Sequence, residues 1–201
     1  MGAHKGKRAL VMGLGVSTNE VVGKEFGDII TIGVNDIDKV RSPKYLLTVD
    51  FSGRFQSDRA ETIKNSRCEY MFTQIPEWNK VAQLAGRVVL FKLGTKQLTN
   101  IDNHGVLDFS NNSPYIAAIL AYQMGCRRIG LIGVDFTDNH CHMQDGAHEL
   151  VRNGRLPEID GDYGRLRAAL EGRGCELYNL SGVSNLRSLP KMQLDEFISN
   201  G

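Results

Sequence analysis

The sequence lacks the features that would attach the chain to a membrane or to nucleic acid. No apolar run approaches the ~20 residues of a membrane-spanning helix. The formal net charge is only +1, so the chain has no basic field of the kind that binds nucleic acid. The N-terminal apolar stretch is too short for a signal peptide, and Gly6 stands where N-myristoylation requires Ser or Thr. We therefore expect a cytoplasmic protein without a membrane span, a lipid anchor or a nucleic-acid partner.

Cysteine is scarce and shows no pairing pattern. The four cysteines are scattered through the 201 residues, which indicates reduced thiols rather than a disulfide framework. No internal repeat or low-complexity segment is evident, and the length suits one sizeable domain. We therefore treat residues 1–201 as a single nucleotide-binding α/β domain, with the polar segment 137–158 as a candidate lid loop.

Short apolar runs alternate with helical patterns along the chain. The predicted strands are 8–12, 29–34, 45–49, 69–73, 87–92, 129–134 and 176–180, and the predicted helices lie near 20–26, 54–65, 112–124 and 163–171. This alternation predicts a Rossmann-like α/β fold, a mostly parallel sheet with helices on both faces. Right-handed crossovers then place the loops that follow the strands along one edge of the sheet.

Glycines and polar residues collect at that predicted edge. The start of helix 112–124 should face the same crevice, with Asn112 or Ser113 capping its free amides and Pro114 as its first residue. Ligands of open α/β sheets bind at this edge. The candidate binding residues are therefore Gly13, Gly15, Ser17, Asn35, Asp50, Asn112, Ser113, Gly133 and Asp135.

Each of these residues also has a structural explanation. The turn G-L-G-V-S-T can bring the backbone close to a phosphate, or it can simply be a tight connection between strand and helix. Asn35 and Asp50 can bind a base, a ribose or a metal ion with its phosphates, or they can cap the next helix. Asp135 follows a buried strand and must be hydrogen-bonded, either to loop amides or to a ligand.

Three of the five histidines lie in the polar segment 137–158. They are His140, His142 and His148, and their spacing fits no named zinc pattern, so we expect no metal there. Histidine is the natural general base near neutral pH. The candidate catalytic residues are therefore His148 and His142, together with Asp160 near the start of the next predicted helix.

Several motifs combine into a family resemblance. The chain reads G-L-G-V-S after the first strand, V-N-D after the second and D-F after the third. The most specific unit, S-P-Y-I-A-A continuing to I-G-L-I-G-V-D-F, is followed by E-L-Y-N-L-S. Over nearly its whole length the sequence thereby resembles the bacterial sialyltransferases. It equally resembles the wider group that contains flagellin-modifying motility accessory factors and archaeal hydroxymethylpterin diphosphokinase.

The resemblance implies a nucleotide site and self-association into a homo-oligomer. Gly13, Gly15 and Ser17 would lie along the phosphates, and sugar, phosphate or base would be held by Asn35, Asp50, Asn112, Ser113 and Gly133. The chain departs from the family pattern at Leu14 and Val16 in the turn. Pro157 stands near the place of the family's histidine base, so His148 or Asp160 would have to substitute for it.

The sequence thus predicts a nucleotide-dependent transferase of the glycosyltransferase type. The donor would be a nucleotide or nucleotide-sugar, favouring the CMP type, and the acceptor a glycan or a small hydroxyl compound. One alternative is a pterin-type diphosphokinase with Mg²⁺ held by Asp50 or Asp135. A second is an NAD-dependent oxidoreductase, for which Asp36 is correctly spaced but Thr18 replaces the third glycine. A third is a non-catalytic nucleotide-binding module.

Overall fold

The computed structural model describes residues 2–55, 57–96, 100–137 and 153–199. In these described ranges, seven strands form one sheet: β1 (Arg8–Met12), β2 (Ile30–Val34), β3 (Tyr45–Thr48), β4 (Tyr70–Thr73), β5 (Val88–Leu90), β8 (Arg128–Ile132) and β9 (Glu176–Asn179). Their order is β5-β4-β3-β2-β1-β8-β9, and every neighbouring pair is parallel. This is the Rossmann-like α/β fold that the sequence predicts.

The sequence in which strands are added to the sheet changes sides at β1. The chain runs outward from β1 to β5 on one side, then returns to add β8 and β9 on the other side. Because β1 pairs with both β2 and β8, the chain continues from β1 toward one side of the sheet and from β8 toward the other. Such a switch point is where open parallel sheets bind ligands.

Both faces of the central strands are covered. In β1, Ala9 to Met12 are completely buried although successive side chains point to opposite faces. Continuous burial of this kind is typical of parallel strands with helices packed on each side.

Four α-helices are described: α1 (Ser57–Lys64), α2 (Ser113–Gln123), α3 (Leu156–Glu171) and α4 (Leu194–Ser199). α2 is the central one, because every residue from Pro114 to Gln123 is buried and the helix packs across β1, β2, β3 and β8. It ends just before Gly125, whose φ of 102° lies in the region that favours glycine. None of the helices described here combines the length and hydrophobicity needed to cross a bilayer.

Two predicted elements differ from the structure. The segment after the glycine turn forms a short 3₁₀ helix at Val16–Val21 in place of the helix predicted near 20–26. The predicted fifth strand divides around Phe91: β5 ends at Leu90, and β6 (Lys92–Leu93) pairs instead with β7 (Val106–Leu107) in a separate two-stranded sheet. Neither outcome changes the edge on which the site was expected.

The last long helix begins earlier than its apolar pattern indicates. α3 starts at Leu156 with Pro157 in its first turn, where the missing amide hydrogen of proline costs nothing. Asp160 therefore lies within α3 and not at its start, which corrects the sequence-based placement.

Candidate functional site

A cavity of about 790 Å³ opens at the switch point, at the carboxyl ends of β1, β2, β3 and β8. It brings together seven of the nine predicted binding residues: Gly15, Asn35, Asp50, Asn112, Ser113, Gly133 and Asp135. The other two, Gly13 and Ser17, are not part of its lining and lie in the turn behind it. The volume is within the range of sites that take a small organic ligand.

A buried carboxylate ties the loop after β8 to the turn after β1. Asp135 is 2% exposed, and its two oxygens accept hydrogen bonds from Ser17, at 2.8 Å from the backbone amide and 2.6 Å from the hydroxyl. The Ser17 hydroxyl oxygen in turn accepts a bond from the amide of Gly133 at 2.9 Å. The three residues form a closed clamp, so the structural explanation for Asp135 is the one the geometry favours.

The glycines of these two loops are required by their mutual approach. A Cβ atom built on Gly15 would lie 2.5 Å from Oδ2 of Asp135, and one on Gly13 would lie 2.4 Å from the carbonyl oxygen of Gly133. Gly133 has a φ of +73°, and its Cβ would stand 1.8 Å from Oγ1 of Thr18. Contact between β1 and β8 loops therefore explains these glycines without any ligand.

The clamp also determines where an anion can bind. Asp135 already accepts from the Ser17 amide in the first turn of the 3₁₀ helix, where a phosphate would otherwise lie. A second negative charge next to this carboxylate would be repelled. The start of α2, which lines the same cavity, is the better place for a phosphate.

The N-terminus of α2 lacks the side-chain cap that the sequence predicts. Asn112 occupies the cap position, but its Oδ1 accepts a hydrogen bond from the Tyr163 hydroxyl at 2.6 Å and makes no bond to the helix. Burial raises the pKa of Tyr163 well above its ordinary value, so the phenol keeps the proton that it donates. Ser113 lines the cavity, and its hydroxyl bonds to none of the described residues.

The β2–β3 side of the cavity carries planar polar groups. Asn35 has a φ of +52°, a conformation that asparagine tolerates better than most residues, and its Oδ1 accepts from the Thr48 hydroxyl at 3.2 Å. Asp50 pairs with Arg54 at 3.1 Å. Backbone strain at a cavity wall is a feature of pre-organised binding sites.

A second strained residue lies on the β8 side. Phe136 has a φ of +54°, and its backbone is held by Asn185, whose side-chain amide donates to the Phe136 carbonyl at 3.1 Å. The next residue, Thr137, has a buried hydroxyl without a hydrogen-bond partner in the described part of the chain. Both residues line the cavity.

Sequence reasoning missed several polar residues of this cavity. The side chains added by the structure are those of Arg54, Arg59, Gln74, Asn153 and Arg155. Gln74 directly follows the predicted strand 69–73, so the strand-end rule could have selected it. The other four lie in helices and irregular segments, to which that rule does not apply.

The three proposed catalytic residues are not brought into the described cavity wall. His142 and His148 lie outside the described residues, as does His140. Asp160 does not line the cavity: its Oδ1 accepts from the backbone amides of Arg187 and Ser188, at 2.9 and 3.0 Å. This carboxylate stabilises the loop after β9, which accounts for its presence without catalysis.

A second cavity of about 430 Å³ lies at the other end of α2, and none of the predicted site residues that the structure describes lines it. Its wall is mainly aromatic and aliphatic, with Tyr45, Phe72 and Phe91 on the sheet side and Leu120 and Met124 on the helix.

Comparison with known proteins shows likeness in structure but not in sequence. No protein-family model and no curated protein matches the chain. The MAf glycosyltransferase from Magnetospirillum magneticum AMB-1 is similar with a TM-score of 0.62 at 13% identity, over 94% of this chain and 34% of that one. The chain thus spans about a third of that enzyme.

Two structures of a sialyltransferase are similar over most of both chains. CST-II in complex with a trisaccharide acceptor and CMP gives a TM-score of 0.55 at 13% identity, over 92% of this chain and 86% of that one. CstII from Campylobacter jejuni with the substrate analogue CMP-3FNeuAc gives 0.53 at 10% identity, with the same coverage. The chain therefore has the α/β fold found in these glycosyltransferases.

Proposed function

We propose that the chain binds an activated nucleotide of the CMP-sugar type in the switch-point cavity and transfers its glycosyl group to a hydroxyl acceptor. The observation that supports this is the convergence of Asn35, Asp50, Asn112 and Ser113 on one cavity at the start of α2. The similar structures support the same class of reaction, because CST-II is described in complex with an acceptor and CMP.

The start of α2 would bind the phosphate. Its first amides carry the positive end of the helix dipole, and the side chain of the cap residue Asn112 makes no bond to them. Ser113 and Asn112 line the cavity there, and their hydroxyl and side-chain amide would add two donors. As the bond between the sugar carbon and the phosphate oxygen breaks, these donors would stabilise the charge that grows on the leaving phosphate.

The acceptor hydroxyl must lose its proton as its oxygen bonds to the sugar carbon. We assign that proton to His148, with His142 as the other candidate, because histidine accepts protons near neutral pH. Both lie in the sequence between Thr137 and Asn153, two described residues that line the cavity. We expect His148→Ala to lower kcat by about 10²-fold or more while the Kd for the donor changes little. Unchanged turnover would show that His148 is not the base.

The carboxylates named for Mg²⁺ do not fit a metal site. Asp50 is paired with Arg54, and both oxygens of Asp135 accept from Ser17. In the described ranges, no three His, Cys, Asp or Glu side chains are grouped as metal ligands. The proposed reaction therefore has no step through a metal at these residues.

The structure also bears on the nicotinamide alternative. The acid of a dinucleotide site must reach the ribose hydroxyls. Asp36 is completely buried and is bonded to Arg59, so it is not placed to do so. Thr18, at the position of the third glycine, donates to the Gly13 carbonyl at 2.8 Å and is buried in the turn.

Thermal-shift measurements with CMP, a CMP-sugar, UDP-sugars, ATP and NAD test the proposal. We expect the midpoint to rise with CMP and the CMP-sugar, since a ligand that binds only the folded state stabilises it. A rise with NAD alone would overturn the proposal. Binding of CMP-sugar without turnover of any hydroxyl acceptor would instead indicate a non-catalytic module.

Ser113→Ala tests the phosphate position. Loss of one hydrogen bond to a charged group should weaken CMP binding about tenfold, because such a bond contributes about 1.5 kcal/mol or more. Isothermal titration calorimetry measures the change, and the unfolding midpoint should stay near that of the parent. Ser42→Ala is the control, since Ser42 is exposed and lies outside the cavity. Equal CMP affinity in Ser113→Ala and the parent would place the phosphate elsewhere.

A further inference from the structure

A buried ion pair connects β2 to α1 beside the cavity. Asp36, two residues after β2, is completely buried. Arg59 of α1 donates to a single oxygen of it, Oδ1, from Nε at 3.0 Å and from Nη2 at 2.8 Å. Lys39 lies 3.7 Å from the other oxygen and also binds Asp58 at 2.6 Å. The carboxylate thus fixes the orientation of the guanidinium group.

The same arginine forms part of the cavity wall. Its bonds with described residues use two of the five N–H groups of the guanidinium. Its planar group also packs over the ring of Phe55, with 5.3 Å from Cζ to the ring centroid, and its side chain is 19% exposed. Arg59 therefore presents a rigid set of donors to whatever fills the β2–β3 side of the cavity.

The other two arginines of the described cavity wall are held less firmly. The side chain of Arg54 is 68% exposed and pairs with Asp50, and that of Arg155 is 39% exposed and pairs with Glu158. A long exposed side chain loses more conformational freedom when it binds a ligand. Of these three, Arg59 is the one whose geometry is set before the ligand arrives.

We propose that Arg59 is a ligand-binding residue and that Asp36 is its positioning residue. This inference rests on the proposed function and adds a contact at the same site. Asp36 balances the charge of Arg59, so the guanidinium is suited to neutral hydrogen-bond acceptors. In a nucleotide-sugar these are hydroxyl, carbonyl or ring-nitrogen atoms, while the phosphate would bind at the start of α2. These atoms belong either to the nucleoside or to the transferred group, and the test separates the two.

Arg59→Lys is the direct test. Lysine keeps the positive charge beside Asp36 but loses the planar fork, so the unfolding midpoint should stay near that of the parent while the Kd for the CMP-sugar rises about tenfold. Arg41→Lys is a matched control, because Arg41 also packs over a phenylalanine, Phe26, and bonds a backbone carbonyl but lies outside the cavity. Weaker binding of CMP itself assigns the contact to the nucleoside. Weaker binding of the CMP-sugar alone assigns it to the transferred group.

Asp36→Asn tests the positioning role. Asparagine keeps the shape but loses the charge, so the guanidinium is less firmly held and the affinity for the CMP-sugar should fall although Asp36 itself touches no ligand. If the Asp36–Arg59 pair had only a structural role, Asp36→Asn would change the unfolding midpoint and leave the Kd for the CMP-sugar unaltered. If Arg59→Lys and Asp36→Asn both bind the CMP-sugar with the Kd of the parent protein, the inference about Arg59 is wrong, but the proposed function is not affected. Failure of the parent protein to bind any nucleotide or nucleotide-sugar would overturn the proposed function and this inference with it.

Discussion

Replacing Gly133 by alanine should lower the free energy of unfolding by about 3 kcal/mol, from the strain of a positive φ combined with overpacking. The new Cβ would stand 1.8 Å from Oγ1 of Thr18 and 2.7 Å from the carbonyl oxygen of Gly13. The Thr18 side chain and the Gly13 carbonyl cannot easily move away from the new Cβ, because Thr18 is buried and is bonded to that carbonyl. Urea unfolding followed by circular dichroism measures the loss.

Gly174→Ala is the matched control. Gly174 has a similar φ of +67°, but no atom lies within 4 Å of the position its Cβ would take. This variant should lower the free energy of unfolding by about 1 kcal/mol, from the strain of the positive φ alone. If the two variants lost equal stability, the close approach of the β1 and β8 loops would not be what requires glycine at position 133.

Asp135→Asn should cost about 2 kcal/mol, because a buried group is left without a proper partner. The two carboxylate oxygens both accept from Ser17, and an amide offers a single acceptor with a donor beside it. Ser17→Ala should act through the same clamp, since its hydroxyl also accepts from Gly133. A double-mutant cycle should therefore show non-additivity of about 1 kcal/mol or more between the two variants.

Asp50→Asn is the control that distinguishes an effect of the clamp from an effect of changing any acid in the cavity wall. Asp50 lines the same cavity, but its side chain is 33% exposed and pairs with an exposed arginine, so this variant should stay within about 0.5 kcal/mol of the parent. Additive effects of Asp135→Asn and Ser17→Ala would argue that the two residues do not act as one unit.

The sheet and its functional edge could be predicted because they depend on local patterns. The predicted strand 8–12 coincides with β1, and β2, β3, β4 and β9 differ from their predictions by one residue at one end. Buried parallel strands are short apolar runs bounded by polar residues, and such runs are visible in any sequence. Parallel pairing then puts their carboxyl ends on one edge, which is why seven of the nine predicted binding residues share a cavity.

The roles of those residues could not be predicted in the same way. Asp135 and Asp36 are both acids that follow a strand, and from the sequence each is a candidate to bind a ligand. In the structure they instead form hydrogen bonds with Ser17 and Arg59, which are 118 and 23 residues away along the chain. Since a hydrogen bond over that separation exists only once the chain has folded, no local pattern distinguishes a ligand-binding acid from an internally bonded one.

The start of α2 shows the same limit on a smaller scale. The sequence correctly predicts that a helix begins at 112–113, because proline and a polar residue mark the first turn. It also predicts a side-chain cap, but Tyr163, from α3, takes the oxygen of Asn112 and leaves the helix start open to the cavity. A helix that arrives from elsewhere in the chain thus decides whether those amides are capped.

By itself, then, the sequence determined the α/β class, most strand positions and the edge where polar groups gather, since all three follow from hydrophobic period and chain direction. Only the tertiary structure decided which of those groups face the cavity and which bind one another, and it alone added Arg59. The physical reason is that a polar side chain satisfies its hydrogen bonds with whatever the fold brings within 3 Å or so of it, and that neighbour is rarely near in sequence.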